Sequence, residues 1–321
     1  MKRRVGARGA CLLLGALLVA PGCDAPVNAP TDYESMLGYI FAHAADVAEE
    51  EGAEPAELVA GLENLYEWLQ DTRQLEAAMK GYAIKSLDEP AVDQLDEVNR
   101  SARALNGISV VTKSGHDPRD IVALLTWRRF EDVLFERTDR AVERYERTFD
   151  LDNPECFGLQ TCRLLRAETD SMSYWGGFIG MEMKYSVEFR WVETKYGWMV
   201  VHRFWLEEGA EGDCCDVVMH SNYYVGVIML DGGRDGATAS TGAVAGAGGL
   251  VGGAGDRLRD LEALLRAPGA LRVYANWFDV DYGILPITRE QAHETIVKST
   301  KDDSSFIDSY LTAHPDTDFT R

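Results

Sequence analysis

Hydrophobic residues recur every three or four positions through the first third of the chain, the spacing that places side chains on one face of an α-helix. The first stripe consists of Met36, Leu37, Ile40, Phe41, Ala44 and Val47. The second consists of Leu58, Leu62, Leu65, Tyr66 and Leu69, and the third of Val92, Leu95, Val98, Ala102 and Leu105. These stripes predict three helices whose apolar faces either pack into a core or bind a partner helix.

Beyond residue 106 the pattern changes to the two-residue alternation of β-strands. Apolar and polar residues alternate strictly over 183–191, which predicts a strand with one buried face and one face in water. After a turn at Gly197, residues 198–206 are apolar on both parities, so we expect this strand inside the sheet with both faces covered. Further strands are predicted over 216–230 and 271–280 and, from weaker patterns, over 108–113 and 164–169.

Capping patterns predict helices in the same half of the chain. Asp117 followed by Pro118 has the side-chain acceptor and the first-turn proline of a helix start. Thr288 with Gln291 forms a capping-box pattern before a predicted helix over 287–300. A separate helix is predicted over 304–313, after a polar interruption at 301–303.

Together these elements predict the α+β class. We expect a helical region over 33–106 and an α+β domain over 107–321, in which a curved antiparallel sheet packs on a C-terminal helix. Residues 232–255 mix glycine with alanine, serine and threonine and contain no phosphate-binding spacing. They predict a surface insertion rather than a nucleotide loop.

The first 22 residues have the layout of an export signal. Four basic residues precede an apolar run over 10–20, which is shorter than the roughly 20 residues of a membrane-spanning helix. The stretch Leu18-Val19-Ala20-Pro21-Gly22-Cys23 resembles a bacterial lipobox. The resemblance implies removal of residues 1–22, lipidation at Cys23 and a tether over 23–32. The alternative is an ordinary signal peptide cut after Gly22, which would release a soluble secreted protein.

The remaining cysteines fit an oxidising compartment. Without Cys11 and Cys23 the chain keeps an even set, Cys156, Cys162, Cys214 and Cys215. We expect disulfides that either join the two clusters or close a loop between Cys156 and Cys162. A bridge between Cys214 and Cys215 is less favourable because it distorts the intervening peptide. Their spacing does not match a zinc site.

Acidic side chains outnumber basic ones, 53 against 32, for a formal net charge of −21. Removal of residues 1–22 takes away four basic and no acidic side chains, so the exported chain would carry −25. Such a chain repels nucleic acid and anionic headgroups. We therefore predict no nucleic-acid partner and a membrane contact made by acyl chains, with the charge serving solubility or attracting cationic partners.

The order of an early strand, helices, long antiparallel strands and a closing amphipathic helix resembles the START-like, polyketide-cyclase-like helix-grip superfamily. Residues 185–206 look like its paired central strands, and 281–286 like its junction between the last strand and the last helix. The resemblance covers about residues 107–314. It implies a cavity between sheet and helix that accepts a lipid, sterol, polyketide or other largely apolar ligand.

The candidate lining residues are aromatic or polar side chains on the predicted strands. They are Tyr185, Phe189, Trp191, His202, Arg203, His220, Asn222 and Trp277. A buried polar group needs a partner, which a ligand or another side chain supplies. The aromatic residues could instead fill a dry core.

Three functions remain open at this point. The first is a lipid-anchored envelope protein, facing the periplasm or the cell surface, that binds an apolar small molecule. The second is a structural or assembly lipoprotein that contacts other envelope proteins. The third is a cyclase or hydrolase using His202 with Asp216 or His220, although the sequence holds no G-x-S-x-G or H-E-x-x-H motif and indicates no metal or cofactor.

Overall fold

The structure, a computed structural model, describes residues 27–47, 53–95, 98–100, 105–137, 142–151, 153–175, 179–231 and 269–320. The predicted export signal over 1–22, the predicted lipidation site Cys23 and the glycine-rich segment 232–255 lie outside the described residues. The predicted tether is described only from Val27 onward. There Asn64 donates hydrogen bonds to the carbonyls of Ala29 and Pro30, so the chain is held against a helix from that point.

Nine strands in the described ranges form one antiparallel sheet, which confirms the predicted α+β class. They are β1 (Tyr82–Ile84), β2 (Asn106–Ser114), β3 (Val142–Leu151), β4 (Leu164–Trp175), β5 (Ile179–Thr194), β6 (Gly197–Leu206), β7 (Ala210–Glu211), β8 (Val218–Leu230) and β9 (Ala270–Asp281). Their order is β1-β2-β9-β8-β6-β5-β4-β3, and β7 pairs with β8. Each of the predicted strands beyond residue 106 is present.

Eight helices are described around this sheet. They are α1 (Tyr33–His43), α2 (Ala56–Leu69), α3 (Thr72–Lys80), α4 (Glu89–Asp93), α5 (Pro118–Thr126), α6 (Phe130–Phe135), α7 (Pro154–Gly158) and α8 (Arg289–Ala313). Asp117 caps α5 as predicted, since its carboxylate accepts from the Arg119 amide. Thr288 and Gln291 form the predicted capping box of α8.

The helices cover both faces of the sheet. Helices α1–α4 pack on the face that carries Val201, Val225 and Trp277, which we call the N-face. Helices α5–α8 pack on the opposite face, the C-face, against residues such as Phe189 and Val200. The apolar faces of α1 and α2 are therefore core, and the N-terminal helices share their core with the sheet. Val47, the last member of the first predicted stripe, lies beyond α1 and is 90 % exposed.

Two helix predictions are wrong. The third stripe forms only the five-residue helix α4, and 98–100 are not helical. Val92 and Leu95 are nonetheless buried against α1 and the sheet. The apolar spacing therefore indicates burial correctly here, although it does not indicate a long helix. The two predicted C-terminal helices are one continuous α8, because 301–303 contain no glycine or proline and only interrupt the apolar stripe. Helix α3 and strands β1 and β3 were not predicted.

The polar side of β5 is also less exposed than its alternation predicts. Glu182 is exposed, but Glu188 is 6 % exposed and lies under the N-terminal helices. Glu188 pairs there with Arg166 and Arg203. Arg203 and Arg190 donate to the carbonyls of Phe41 and Ala44 at the end of α1, where cations oppose the negative end of the helix dipole.

Candidate functional site

A cavity of about 440 Å³ lies between the C-face and helix α8. Its floor comes from β2, β6, β8 and β9, and its roof from the first half of α8. Most of its wall is apolar or aromatic: Ile108, Val110, Tyr174, Ile179, Phe204, Tyr224, Tyr274, Phe278, Tyr282, Ile287, Ala292, Ile296 and Val297. The volume falls within the roughly 300–1,000 Å³ of small-molecule sites.

The alternation of side chains along the strands determines which polar groups face the cavity floor. In the β8–β9 pair Tyr224 lies opposite Asn276, and Asn222 lies opposite Phe278. Because alternate residues of a strand share a face, Asn222, Tyr224 and Asn276 all lie on the C-face. The cavity floor therefore combines two side-chain amides with phenol and phenyl rings.

The anchoring of α8 explains why space remains under its first half. The second half is fixed to the sheet: Arg272 donates to the Ser304 carbonyl at 2.9 Å and to Asp308 at 2.5 Å, and Ile307 is buried in the C-face core. Over its first half, the helix lines the cavity with Ala292, the exposed Thr295, Ile296 and Val297. The cavity lies under the part of the helix that precedes the anchors.

One polar atom of the floor lacks a partner. Asn222 Oδ1 is buried and accepts no hydrogen bond from any residue that the structure describes. The Tyr224 hydroxyl lies 3.4 Å from His202 Nε2, and the Tyr274 hydroxyl accepts from Ser304 at 3.1 Å. Burial, followed by the neighbouring Tyr274, raises the pKa of Tyr224 well above its ordinary value, so this phenol stays neutral. An unpaired buried acceptor is costly unless a ligand satisfies it.

His202 lies directly behind this floor. Its ring stacks on Phe189 with the centroids 5.4 Å apart and packs against Tyr224. Burial, and then the positive charges of Arg272 and Arg147, lower the pKa of His202 to about 3. Gly226 on β8 makes room for the ring, since a Cβ there would lie 2.0 Å from Nε2. His202 is therefore a neutral imidazole that supports the cavity wall.

The predicted lining residues fall in three places. Asn222 lines the cavity. Tyr185, Phe189 and His202 lie on the C-face, and Tyr185 contacts the lining ring of Phe204 at a centroid distance of 5.5 Å. Trp191 is also a C-face core residue, whose indole donates to the Phe157 carbonyl at 2.9 Å.

The other three candidates lie away from the cavity. Arg203 belongs to the N-face, where its guanidinium binds Glu188 at 2.6 Å. Trp277 is also on the N-face, and its indole donates to the Lys85 carbonyl at 2.7 Å. His220 is half-buried outside the lining, and neither it nor Asp216 is a contact of His202 in the described residues. The structure does not assemble the acid/base set considered from sequence.

Several lining residues were not singled out from the sequence. They include Tyr224 and Tyr274, which share strand parity with Asn222 and Asn276. Their position on the same strand face as the polar residues could therefore have identified these tyrosines as lining residues. A second indication of the cavity was the helical spacing of short residues on α8, such as Ala292, Thr295 and Ser299.

The cysteines form one bridge in the described residues. The sulfurs of Cys156 and Cys162 lie at bonding distance, with their Cα atoms 5.4 Å apart. This bridge is one of the two pairings predicted from the sequence. Pairing between the clusters is wrong for this structure, since Cys214 and Cys215 are half-buried thiols. A hydrogen bond with Cys215, and then burial, raises the pKa of Cys214 to about 11, which favours the protonated thiol.

No protein-family model and no curated protein matches the chain. The resemblance to the helix-grip superfamily thus rests on the element order and on the quoted segments. Within the described ranges, no helix is both long and apolar enough to cross a membrane.

Proposed function

We propose that this protein binds a largely apolar small molecule in the cavity between the C-face and α8. The observation that supports the proposal is the cavity of about 440 Å³, with an aromatic and aliphatic wall and a few convergent polar groups. Binding sites for small molecules have this composition because apolar area supplies affinity and a few polar groups fix orientation. A dry core would have closed this space by packing.

We also propose that the protein works at the cell envelope, anchored through acyl chains on Cys23. The lipobox-like residues 18–23, the basic start of the chain and its acidic remainder support this proposal. The bridge between Cys156 and Cys162 supports an oxidising compartment. Such an anchor would place the cavity beside a membrane, where apolar molecules are available.

The arrangement of sheet and closing helix supports a helix-grip-like fold as the finer description. One 25-residue helix, α8, follows the last strand and roofs a cavity on an antiparallel sheet. The coverage of the N-face by α1–α4 is an addition to that pattern. This coverage also weakens the alternative of an assembly lipoprotein, because the apolar faces of α1 and α2 are already occupied.

Native mass spectrometry of protein purified from its own host tests the binding proposal. We expect one co-purifying hydrophobic molecule, lost on Ala292→Phe, which places a ring in the cavity roof. Ala313→Phe is the matched control, because Ala313 is exposed at the other end of the same helix. Retention of the molecule by the Ala292→Phe variant, or protein that carries no molecule and binds no apolar probe, would refute the proposal.

Fractionation of a Cys23→Ala variant tests the anchor. The parent is expected in the membrane fraction and the variant in the soluble fraction, because residues 10–20 are too short to span the bilayer and the acidic chain does not adsorb to anionic lipid. Membrane retention of the variant would contradict the lipidation of Cys23.

A further inference from the structure

The charge of the cavity wall restricts what the cavity can hold. Among the described residues, its lining contains no lysine, arginine or histidine. Its charged member is Asp303, and Arg137 binds the Asp303 carboxylate at 2.5 Å. Arg137 is itself covered, with its side chain 4 % exposed and its guanidinium 4.9 Å from the Phe306 ring. The pair leaves the wall without a net charge.

Two other cations of the C-face, Arg272 and Arg147, lie outside the lining. Arg272 binds Asp308 and the Ser304 carbonyl. Arg147 donates to the Leu125 carbonyl at 2.7 Å and packs over two rings. An anionic headgroup would therefore meet no cationic side chain on the described wall, and desolvation of a charge without direct pairing is strongly unfavourable.

An uncharged ligand meets the opposite situation. The amides of Asn222 and Asn276, both half-buried, line the cavity on adjacent strands and offer it uncharged polar groups.

We propose that the cavity selects uncharged, largely apolar molecules and rejects carboxylates and sulfonates of the same shape. This inference rests on the proposed binding function and names its ligand class. It separates neutral alcohols, phenols and amides from fatty acids and other organic anions.

Two fluorescent probes with one skeleton test the charge rule. N-phenyl-1-naphthylamine is neutral and carries an N–H donor, and 8-anilino-1-naphthalenesulfonate adds a sulfonate to the same rings. We expect saturable binding of the neutral probe to the parent protein and at least about tenfold weaker binding of the sulfonate. The difference must persist at 0.5 M NaCl, where the field of the acidic surface is screened. Equal affinities would overturn the inference and leave the binding function standing, whereas failure of both probes to bind would count against the binding function itself.

A charge introduced at the roof sharpens the test. Thr295 lines the cavity at an exposed position of α8, so Thr295→Lys places an ammonium at its mouth. We expect this variant to strengthen sulfonate binding at least about fivefold while the neutral probe changes little. Ser305→Lys adds the same charge at an exposed position outside the lining and should leave both affinities at parental values. Equal effects of the two lysines would show that the overall charge, rather than the cavity wall, governs selection.

Discussion

Acidification is expected to destabilise the fold through His202. Burial lowers the pKa of this imidazole to about 3, whereas a histidine in an unfolded chain titrates near 6.5. Between these two values the unfolded chain binds one proton more at this position than the folded chain. The free energy of unfolding therefore falls as the pH falls through this window, by up to about 1.4 kcal/mol per pH unit. Above pH 6.5 both states are neutral and the effect disappears.

Urea denaturation of the parent and of His202→Gln at pH 7.5, 6.0 and 5.0 measures this term. From pH 7.5 to 5.0 the parent should lose about 2 kcal/mol more stability than the variant, because glutamine cannot bind the proton. Carboxylates also titrate near pH 5, but they are common to both proteins and cancel in the difference. Parallel curves for the two proteins would refute the buried neutral imidazole, whatever the absolute stability of the variant.

Three further substitutions test the packing that frames the site. Gly226→Ala should lower the free energy of unfolding by about 1–3 kcal/mol, measured by thermal denaturation, because the new Cβ would overlap the His202 ring. Gly115→Ala is the control, because a Cβ there meets no atom within 4 Å. Equal stability of the two variants would contradict the close packing of His202 on Gly226. Arg203→Ala should lower the free energy of unfolding by about 3–5 kcal/mol because it leaves buried Glu188 with one cation fewer. A change within experimental error would disprove the stabilising role of this pair. Thr288→Ala should cost about 1 kcal/mol by removing the cap of α8, and unchanged urea unfolding would contradict it.

The strands were predictable because their pattern is local. The alternation over 183–191 and the continuous apolar run over 198–206 each predict a strand, and they lie within β5 and β6 respectively. The capping box of α8 and the Asp117 cap of α5 were predictable for the same reason, since each joins residues two or three positions apart. The pattern could not show what covers each face. Glu188 reads as solvent-facing, and α1 covers it only after the chain has folded back.

The cavity was beyond the reach of local patterns. Its existence depends on the anchoring of the second half of α8 through Arg272 and Asp308, which are 36 positions apart. Trp191 and Trp277 were predicted to line the cavity because they are aromatic residues on the predicted strands, but both indoles donate to backbone carbonyls in the core. Asn222, chosen because a polar side chain on an apolar strand requires a partner, does line the cavity.

Methyl NMR during titration with N-phenyl-1-naphthylamine tests the central claim most directly. Isoleucine and valine methyl groups report on both sides of the sheet: Ile179, Ile296 and Val297 line the cavity, whereas Val201 and Val225 lie on the N-face. The account predicts saturable shifts of the cavity methyl groups, with those of the N-face unmoved. Shifts centred on the N-face, or no saturable shift in the cavity, would contradict it.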